Sequence, residues 1–300
     1  MRVVIVGMGV QGTKRKKILG KNFIYSVDKF KKSDFKNLKD VPKDKYDSVF
    51  ICVPDNQKFS IAKYCLENKK NILIEKPLMF KNNTQYSTLR KLAKKNNCII
   101  YTAYNHRFEP GLVKMKELIK KKEIGKLYTC RIFYGNGTSL LVKKSNWRDQ
   151  KLGVISDIGS HLVDICLFIF NSKIKQMRLS SANKFENNAY DHSIINLNLK
   201  NLKIQLEMTL CSWENTFDFD LIGSKGSLHM RSLCKWSDSF LIIKKRKYPS
   251  GKPKIKKIIF KKGDPTWKLE HRHFSKIRAK NFTNLNLTKD QFINKKLNNI

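Results

Sequence analysis

Nowhere in the 300 residues does an apolar run approach the ~20 residues that a membrane helix needs. Val3–Val6 is too short for a signal-peptide core and leads into a glycine motif, so no export signal is read. Cys-x-x-Cys is missing too. The seven cysteines (Cys52, Cys65, Cys98, Cys130, Cys166, Cys211, Cys234) are odd in number and widely spaced. That pattern argues against disulfides or zinc and fits reduced, mostly buried thiols in a cytoplasmic protein. Acidic residues are scarce: 24 Asp and Glu face 62 Lys and Arg, a formal net charge of +38. Such a balance would suit nucleic acid, an anionic membrane surface or an anionic substrate. The lysines, however, are spread over nearly every polar face, whereas nucleic-acid sites concentrate charge and interleave aromatics. The one dense basic block, Lys244–Lys262, reads as a solvated hairpin around Pro249-Ser250-Gly251. Neither nucleic acid nor membrane insertion is therefore expected, and no repeats are visible.

What the chain does have is a β-α rhythm. Its length and 41% apolar content suggest two domains, divided near residue 104. The strand Val3–Val6 opens Gly7-Met8-Gly9-Val10-Gln11-Gly12, followed by a helical segment, Thr13–Leu19. In a dinucleotide-binding turn Gly7 allows the tight bend, Gly9 the approach of pyrophosphate and Gly12 helix–sheet packing. A second strand, Phe23–Val27, ends in Asp28, whose carboxylate would accept both ribose hydroxyls of NAD and repel a 2′-phosphate. Lys29 beside it leaves NADP open. Strands Tyr46–Val53, Ile72–Ile74 and Cys98–Tyr104 alternate with helices Phe59–Asn68 and Thr84–Lys95, which predicts a doubly wound parallel sheet. Glu75, Lys76 and Pro77 follow the buried Ile72–Ile74 run, at the strand end where ligands of such sheets bind.

From Ile174 to Lys261 strands succeed one another with turn residues between them, predicting a mostly antiparallel sheet. A helix from about Pro265 to Lys280 and a short polar tail complete the chain. Before the sheet, Asp157, His161 and Asp164 share one face of an apolar helix running to Phe170. A carboxylate beside an imidazole fixes its tautomer, so His161 suits proton transfer near neutral pH. The plain alternative makes Ser156 or Asp157 an N-cap and His161 a satisfied buried residue. A metal site would need a further convergent ligand, and none is evident.

Taken together, Gly7–Gly12, Asp47–Pro54, Glu75-Lys76-Pro77, Asn105-His106-Arg107-Phe108, Trp147-Arg148 and Asp157-x-Gly159-x-His161-x-x-Asp164 resemble the glucose–fructose oxidoreductase/inositol dehydrogenase (Gfo/Idh/MocA) family, in the family's order. The resemblance spans roughly the first two-thirds of the chain, and Gly223–Gly226 continues it. It implies a Rossmann domain over residues 1–104. Residues 105–300 would form a substrate domain whose open-faced sheet holds a homodimer or homotetramer together. The implied activity is pyridine-nucleotide oxidoreduction of sugars, cyclitols or nucleotide sugars. Lys76 then matches the active-site lysine, and Asp157 and His161 the acid–base pair. Cofactor contacts would come from the Gly7–Gly12 turn, Asp28, Pro54, Asn56, Glu75, Lys76 and Arg148. Substrate contacts would come from Lys76, Asn105, Arg107, Trp147, Asp157 and His161. The same fold could instead use NAD transiently for elimination or glycoside cleavage, and a non-enzymatic NAD sensor or nucleic-acid binder is the remaining rival. Arg107 and Arg148 hint at an anionic substrate such as a nucleotide sugar or sugar phosphate; otherwise Arg107 is structural and Arg148 contacts the cofactor. Lys58 stands where a histidine is common, Lys151-Leu152 replace two glycines, and the chain after Lys280 is shortened.

Overall fold

A computed structural model describes residues 1–145, 148–279 and 287–299, and its contacts fall into two units: residues 1–105 with 267–295, and residues 106–266 with those from 296 onward. In the first unit β1 (Val3–Val6), β2 (Phe23–Val27), β3 (Ser48–Ile51), β4 (Asn71–Glu75) and β5 (Ile100–Ala103) pair in parallel in the order β2-β1-β3-β4-β5. The order reverses between β1 and β3, and in such sheets a ligand crevice opens beyond the strand ends at that point. Helices α1 (Val10–Leu19), α2 (Asp55–Glu67) and α3 (Asn83–Lys95) follow β1, β3 and β4. On one face Val4, Val6, Ile51 and Ile74 pack with Ala62 and Leu66 of α2 and Leu89 of α3. Val3, Ile5, Phe50, Leu73 and Tyr101 form the core of the opposite face. Burial on both sides is why these strands read as unbroken apolar runs.

The second unit begins with α4 (Pro110–Lys120), β6 (Leu127–Gly137) and a short α5 (Ser139–Lys143). A π-helical turn at Ile155–Gly159 then runs into α6 (Ser160–Phe170). Strands β7 (Gln176–Asn183), β8 (His192–Asn198), β9 (Lys203–Thr209), β10 (Cys211–Gly223), β11 (Gly226–Arg231), β12 (Ser239–Lys245) and β13 (Lys254–Phe260) complete an eight-stranded sheet. Its order is β13-β12-β11-β10-β6-β9-β8-β7, antiparallel throughout except where β6 meets β9. Ile132, Tyr134, Phe217, Phe219, Leu228 and Met230 are buried on one side of the sheet, where α4 packs on β11 and β12 and α6 packs on α4. The residues between them in register, among them Arg131, Asp218, Ile222 and Arg231, face the other way. The basic block forms the expected β12–β13 hairpin, with β13 largely exposed at the sheet edge.

The chain's end departs from expectation. Helix α7 (Thr266–Ala279) places Phe274 and Ile277 in the core of the parallel sheet, beside Val3, Phe50 and Tyr101. The polar tail contains a helix, α8 (Leu287–Asn298). Its Asp290 accepts a 2.7 Å hydrogen bond from Thr102, and its Asn294 donates to Phe80 O and Tyr86 Oη. Residues 267–295, which sequence order places in the second domain, thus pack within the first unit. Nothing local in a helix records which sheet, 160 or more positions upstream by the numbering of β5 and α7, will cover its apolar stripe.

Candidate functional site

The glycine turn in the first unit has the shape of a dinucleotide cradle. Gly7 adopts φ +94°, and a Cβ there would lie 2.6 Å from Cys52 O. A Cβ at Gly12 would lie 1.9 Å from Gly7 O, so α1 can approach β1 this closely only without a side chain. At Gly9, by contrast, a Cβ would meet nothing within 4 Å. That open space lies at the N-terminus of α1, where unsatisfied N–H groups and the helix dipole favour an anion. Met8, Gly9, Val10, Thr13, Lys14, Lys17 and Lys31 line a shallow depression of about 390 Å³ there. Gln11 and Val10 are exposed at its edge. Steric fit, free space and three ammonium groups suit a pyrophosphate.

Asp28 closes the turn. Its Oδ2 accepts from Met8 N at 2.7 Å, and its Oδ1 from Phe30 N and Lys31 N at 2.9 Å each. Burial pushes this carboxyl up, but the N–H groups of Lys31, Met8 and Phe30 outweigh it and hold it below the ordinary range. A firmly ionised carboxylate at this position suits the two ribose hydroxyls of NAD. NAD is therefore expected to bind at least about tenfold more tightly than NADP, roughly 1.4 kcal/mol. Titrating both cofactors by intrinsic fluorescence checks this; tighter binding of NADP would give the ribose end to Lys31 and its neighbours.

At the end of β4 the charged residues separate. The Glu75 carboxylate is buried and accepts from Arg15 Nε at 2.5 Å, while Arg15 Nη2 donates to Glu270 of α7 at 2.8 Å. The sequence reading placed Glu75 beside a bound cofactor; the structure sets its carboxylate against Arg15. Lys76 is half-buried. Lys58, the residue that departs from the family pattern, is only 2% exposed and explains itself here. Its ammonium donates to Asp55 Oδ1 at 2.6 Å, Glu75 O at 2.6 Å and Pro77 O at 2.7 Å. All three of its donors are used, and the two carbonyls it holds flank Lys76. Pro54 is the residue before α2, and Asn56 is exposed in the first turn of that helix.

In the second unit the three polar residues of the expected acid–base helix find partners from preceding segments. The π-helical turn widens the spacing before α6, so Asp157 and His161 do not stand in a regular α-helical register. Asp157 Oδ2 accepts from Arg148 Nη2 at 3.0 Å. Asp164 accepts both Arg107 Nε, at 2.8 Å, and Arg107 Nη2. His161, 8% exposed, has its Nδ1 at 2.8 Å from Nδ1 of His106, also buried. Arg107 is thus bound to a carboxylate in a buried bidentate pair, and Arg148 is ion-paired as well. The two guanidinium groups that suggested a phosphate clamp are each committed to an aspartate.

The imidazole pair limits the tautomers. Two facing Nδ1 atoms share one proton, so one ring donates and the other accepts. If His161 Nδ1–H donates to His106, His161 Nε2 is left as a base. After taking a proton there, His161 still donates the same bond. In that tautomer the partner of the His161 Nδ1–H is His106 rather than Asp157. In the sequence His106 is only one residue of a motif, because nothing local reveals a partner on α6. Asn105 is 9% exposed, in the turn Asn105–Phe108. Trp147 lies outside the described residues.

Comparison with known proteins follows the same division. Residues 5–104 match the model described as "Oxidoreductase family, NAD-binding Rossmann fold", and residues 112–229 match "GFO/IDH/MocA C-terminal domain". The chain belongs to the Gfo/Idh/MocA family. Among curated proteins it is similar to myo-inositol 2-dehydrogenase of Thermotoga maritima, 24% identical over 194 residues, covering 59% of this chain and 57% of that one. It is also similar to glucose-6-phosphate 3-dehydrogenase of Bacillus subtilis, 26% identical over 116 residues, covering 37% of this chain and 33% of that one. These matches thus span about a third to somewhat over half of the relatives' lengths. Among solved structures, levoglucosan dehydrogenase in complex with NADH superposes with TM-score 0.82 at 15% identity, covering 100% of this chain and 97% of that one. A protein of gentamicin A biosynthesis in complex with NAD gives TM-score 0.80 at 14% identity, covering 99% and 92%. At such identities these structures show the fold, a five-stranded parallel sheet with an eight-stranded, mostly antiparallel one. Among the described residues no helix is long and apolar enough to cross a membrane.

Proposed function

We propose that this protein is an NAD(P)-dependent oxidoreductase that moves a hydride between nicotinamide and a secondary alcohol of a sugar, cyclitol or nucleotide sugar. The observation that carries the proposal is the His106–His161 pair: two buried imidazoles whose facing Nδ1 atoms share one proton, in a family chain with a dinucleotide turn. Bound NAD, our preferred cofactor, supplies the hydride acceptor. His161 takes the hydroxyl proton at Nε2, His106 holds its Nδ1–H, and Asp157, paired with Arg148, supplies negative charge near by. Lys76 donates to the reacting oxygen and steadies its developing negative charge, a role that grows in a dry site. Lys58 keeps the backbone on either side of Lys76 in place. The names of relatives that act on inositol, glucose 6-phosphate and levoglucosan support this substrate range. The outward face of the eight-stranded sheet, where Ile222 is 44% exposed among charged neighbours, supports a homodimer or homotetramer formed through it. Seven cysteines without a disulfide suit the reducing cytoplasm.

The test is NADH formation from NAD over a panel of cyclitols, free sugars, sugar phosphates and nucleotide sugars. Turnover with NADH release is the expected result. Turnover without release would point to the elimination chemistry instead. Absence of any turnover, with DNA binding that weakens steeply in salt, would overturn the enzyme reading.

A further inference from the structure

Among the described residues the two buried cations and half-buried Arg107 each contact a carboxylate: Arg15 has Glu75 and Glu270, Lys58 has Asp55, and Arg107 has Asp164. Lys235 is held differently. It lies beyond β11, and its ammonium donates to Tyr134 Oη at 2.6 Å. It also sits over the Trp236 ring at 4.3 Å and 5.2 Å from the Tyr134 ring centroid. No ion pair with a carboxylate forms at Lys235 among the described residues. The acids that surround it, Asp264, Glu109 and Asp157, act from a distance and are engaged elsewhere. Asp264 accepts from Thr266, Glu109 from Cys234 N and Asp157 from Arg148.

An ammonium has three donors, and one is spent on the Tyr134 phenol. Two remain, in an aromatic setting where a charge without a counter-ion is costly. Burial accordingly pushes the Lys235 ammonium down to about 8, against the pull of Asp264, Glu109 and Asp157. The surroundings connect it to the candidate base. Tyr134 meets His106 edge to face at 5.8 Å, and the His106 and His161 rings are 4.1 Å apart. All four side chains belong to the same unit.

We propose that Lys235 is a specificity-determining residue that binds an anionic substituent, a carboxylate or a phosphate, on the sugar or cyclitol oxidised at His161. This rests on the dehydrogenase reading above and narrows its substrate class. It also moves the anion site from Arg107 and Arg148, which are neutralised, to a cation that lacks a contacting acid. An anion there would complete the ion pair that the fold leaves open, whereas the hydroxyl of a neutral sugar would not.

Isothermal titration with NADH present tests this on matched probes: glucose against glucuronate and glucose 6-phosphate, and myo-inositol against its monophosphate. At least one anionic probe is expected to bind ten or more times more tightly than its neutral counterpart, and the stronger of glucuronate and glucose 6-phosphate distinguishes carboxylate from phosphate. Lys235→Met should erase that ratio and Lys235→Arg should retain most of it. Lys235→Gln serves if the methionine variant does not fold. Equal binding in every wild-type pair overturns the proposal, as does an unchanged ratio in a Lys235→Met protein that melts and binds NADH normally. The two readings separate cleanly. Oxidation of neutral sugars with no anion preference defeats this inference alone, and a Lys235-dependent anion preference without NAD-linked turnover defeats the dehydrogenase reading alone.

Discussion

Replacing His161 with alanine is expected to lower kcat by ~10²–10⁴-fold, the usual worth of a positioned proton acceptor, while leaving NAD binding almost unchanged. The dinucleotide turn belongs to the first unit and His161 to the second, so the lesion should fall on chemistry. A base must be unprotonated to act, so the wild-type kcat/KM should rise with pH on its acid limb, and the alanine variant should lose that limb. His106→Phe keeps a ring but removes the Nδ1 that accepts from the protonated His161. A hydrogen bond to a charged group contributes about 1.5–3 kcal/mol, or roughly 10–100-fold in rate. Because the two rings act as one device, the double variant should be little worse than His161→Ala alone. Lys76→Ala should lose roughly 10²–10³-fold through the missing stabilisation of the oxyanion. Steady-state kinetics on a substrate from the panel checks all of these. Near-normal kcat in both His161→Ala and Lys76→Ala would show that the reaction is carried elsewhere.

The second large effect is on stability. Arg15→Met should cost about 3–5 kcal/mol of unfolding free energy, because removing one partner leaves buried charges uncompensated. Arg15 is 2% exposed, with Glu75 and Glu270 on two sides and the Trp267 ring at 4.7 Å. Methionine fills most of the volume, so the loss would be electrostatic rather than a cavity. Adding Glu75→Gln and Glu270→Gln should recover part of it, since neutral amides carry no stranded charge. Urea unfolding of the single and triple variants measures both effects. A single variant as stable as the wild type would mean that the network holds nothing together.

Much of this was legible locally. The Val3–Gly12 segment carries both its strand and its glycine pattern in adjacent residues, and the structure gives Gly7 and Gly12 the steric reasons that the pattern supposes. The alternation of strands and helices to residue 104 is likewise short-range, as is the β12–β13 hairpin. Where expectation and structure part, the missing information is long-range. Asp157, His161 and Asp164 were grouped by helical spacing, but their observed partners, Arg148, His106 and Arg107, come from before the π-helical turn. Lys58 was visible as an irregularity, yet its reason lies in two carbonyls at and just past the end of β4. Arg15 carries no local signal of its role, and its second acid lies on α7.

The sequence by itself determined the type of most long elements, α8 excepted, the parallel and antiparallel sheets, the dinucleotide turn and the family. All of these rest on periodicity, backbone permissiveness or contiguous motifs, which a chain displays in its own order. Only the tertiary structure decided that residues 267–295, most of α7 and α8, pack in the first unit, which acid neutralises which base, and that Lys235 has no acid in contact. Those outcomes depend on which side chains meet after the chain has crossed two sheets. A buried charge is governed by the atoms within a few ångströms of it in space, not by its neighbours along the chain.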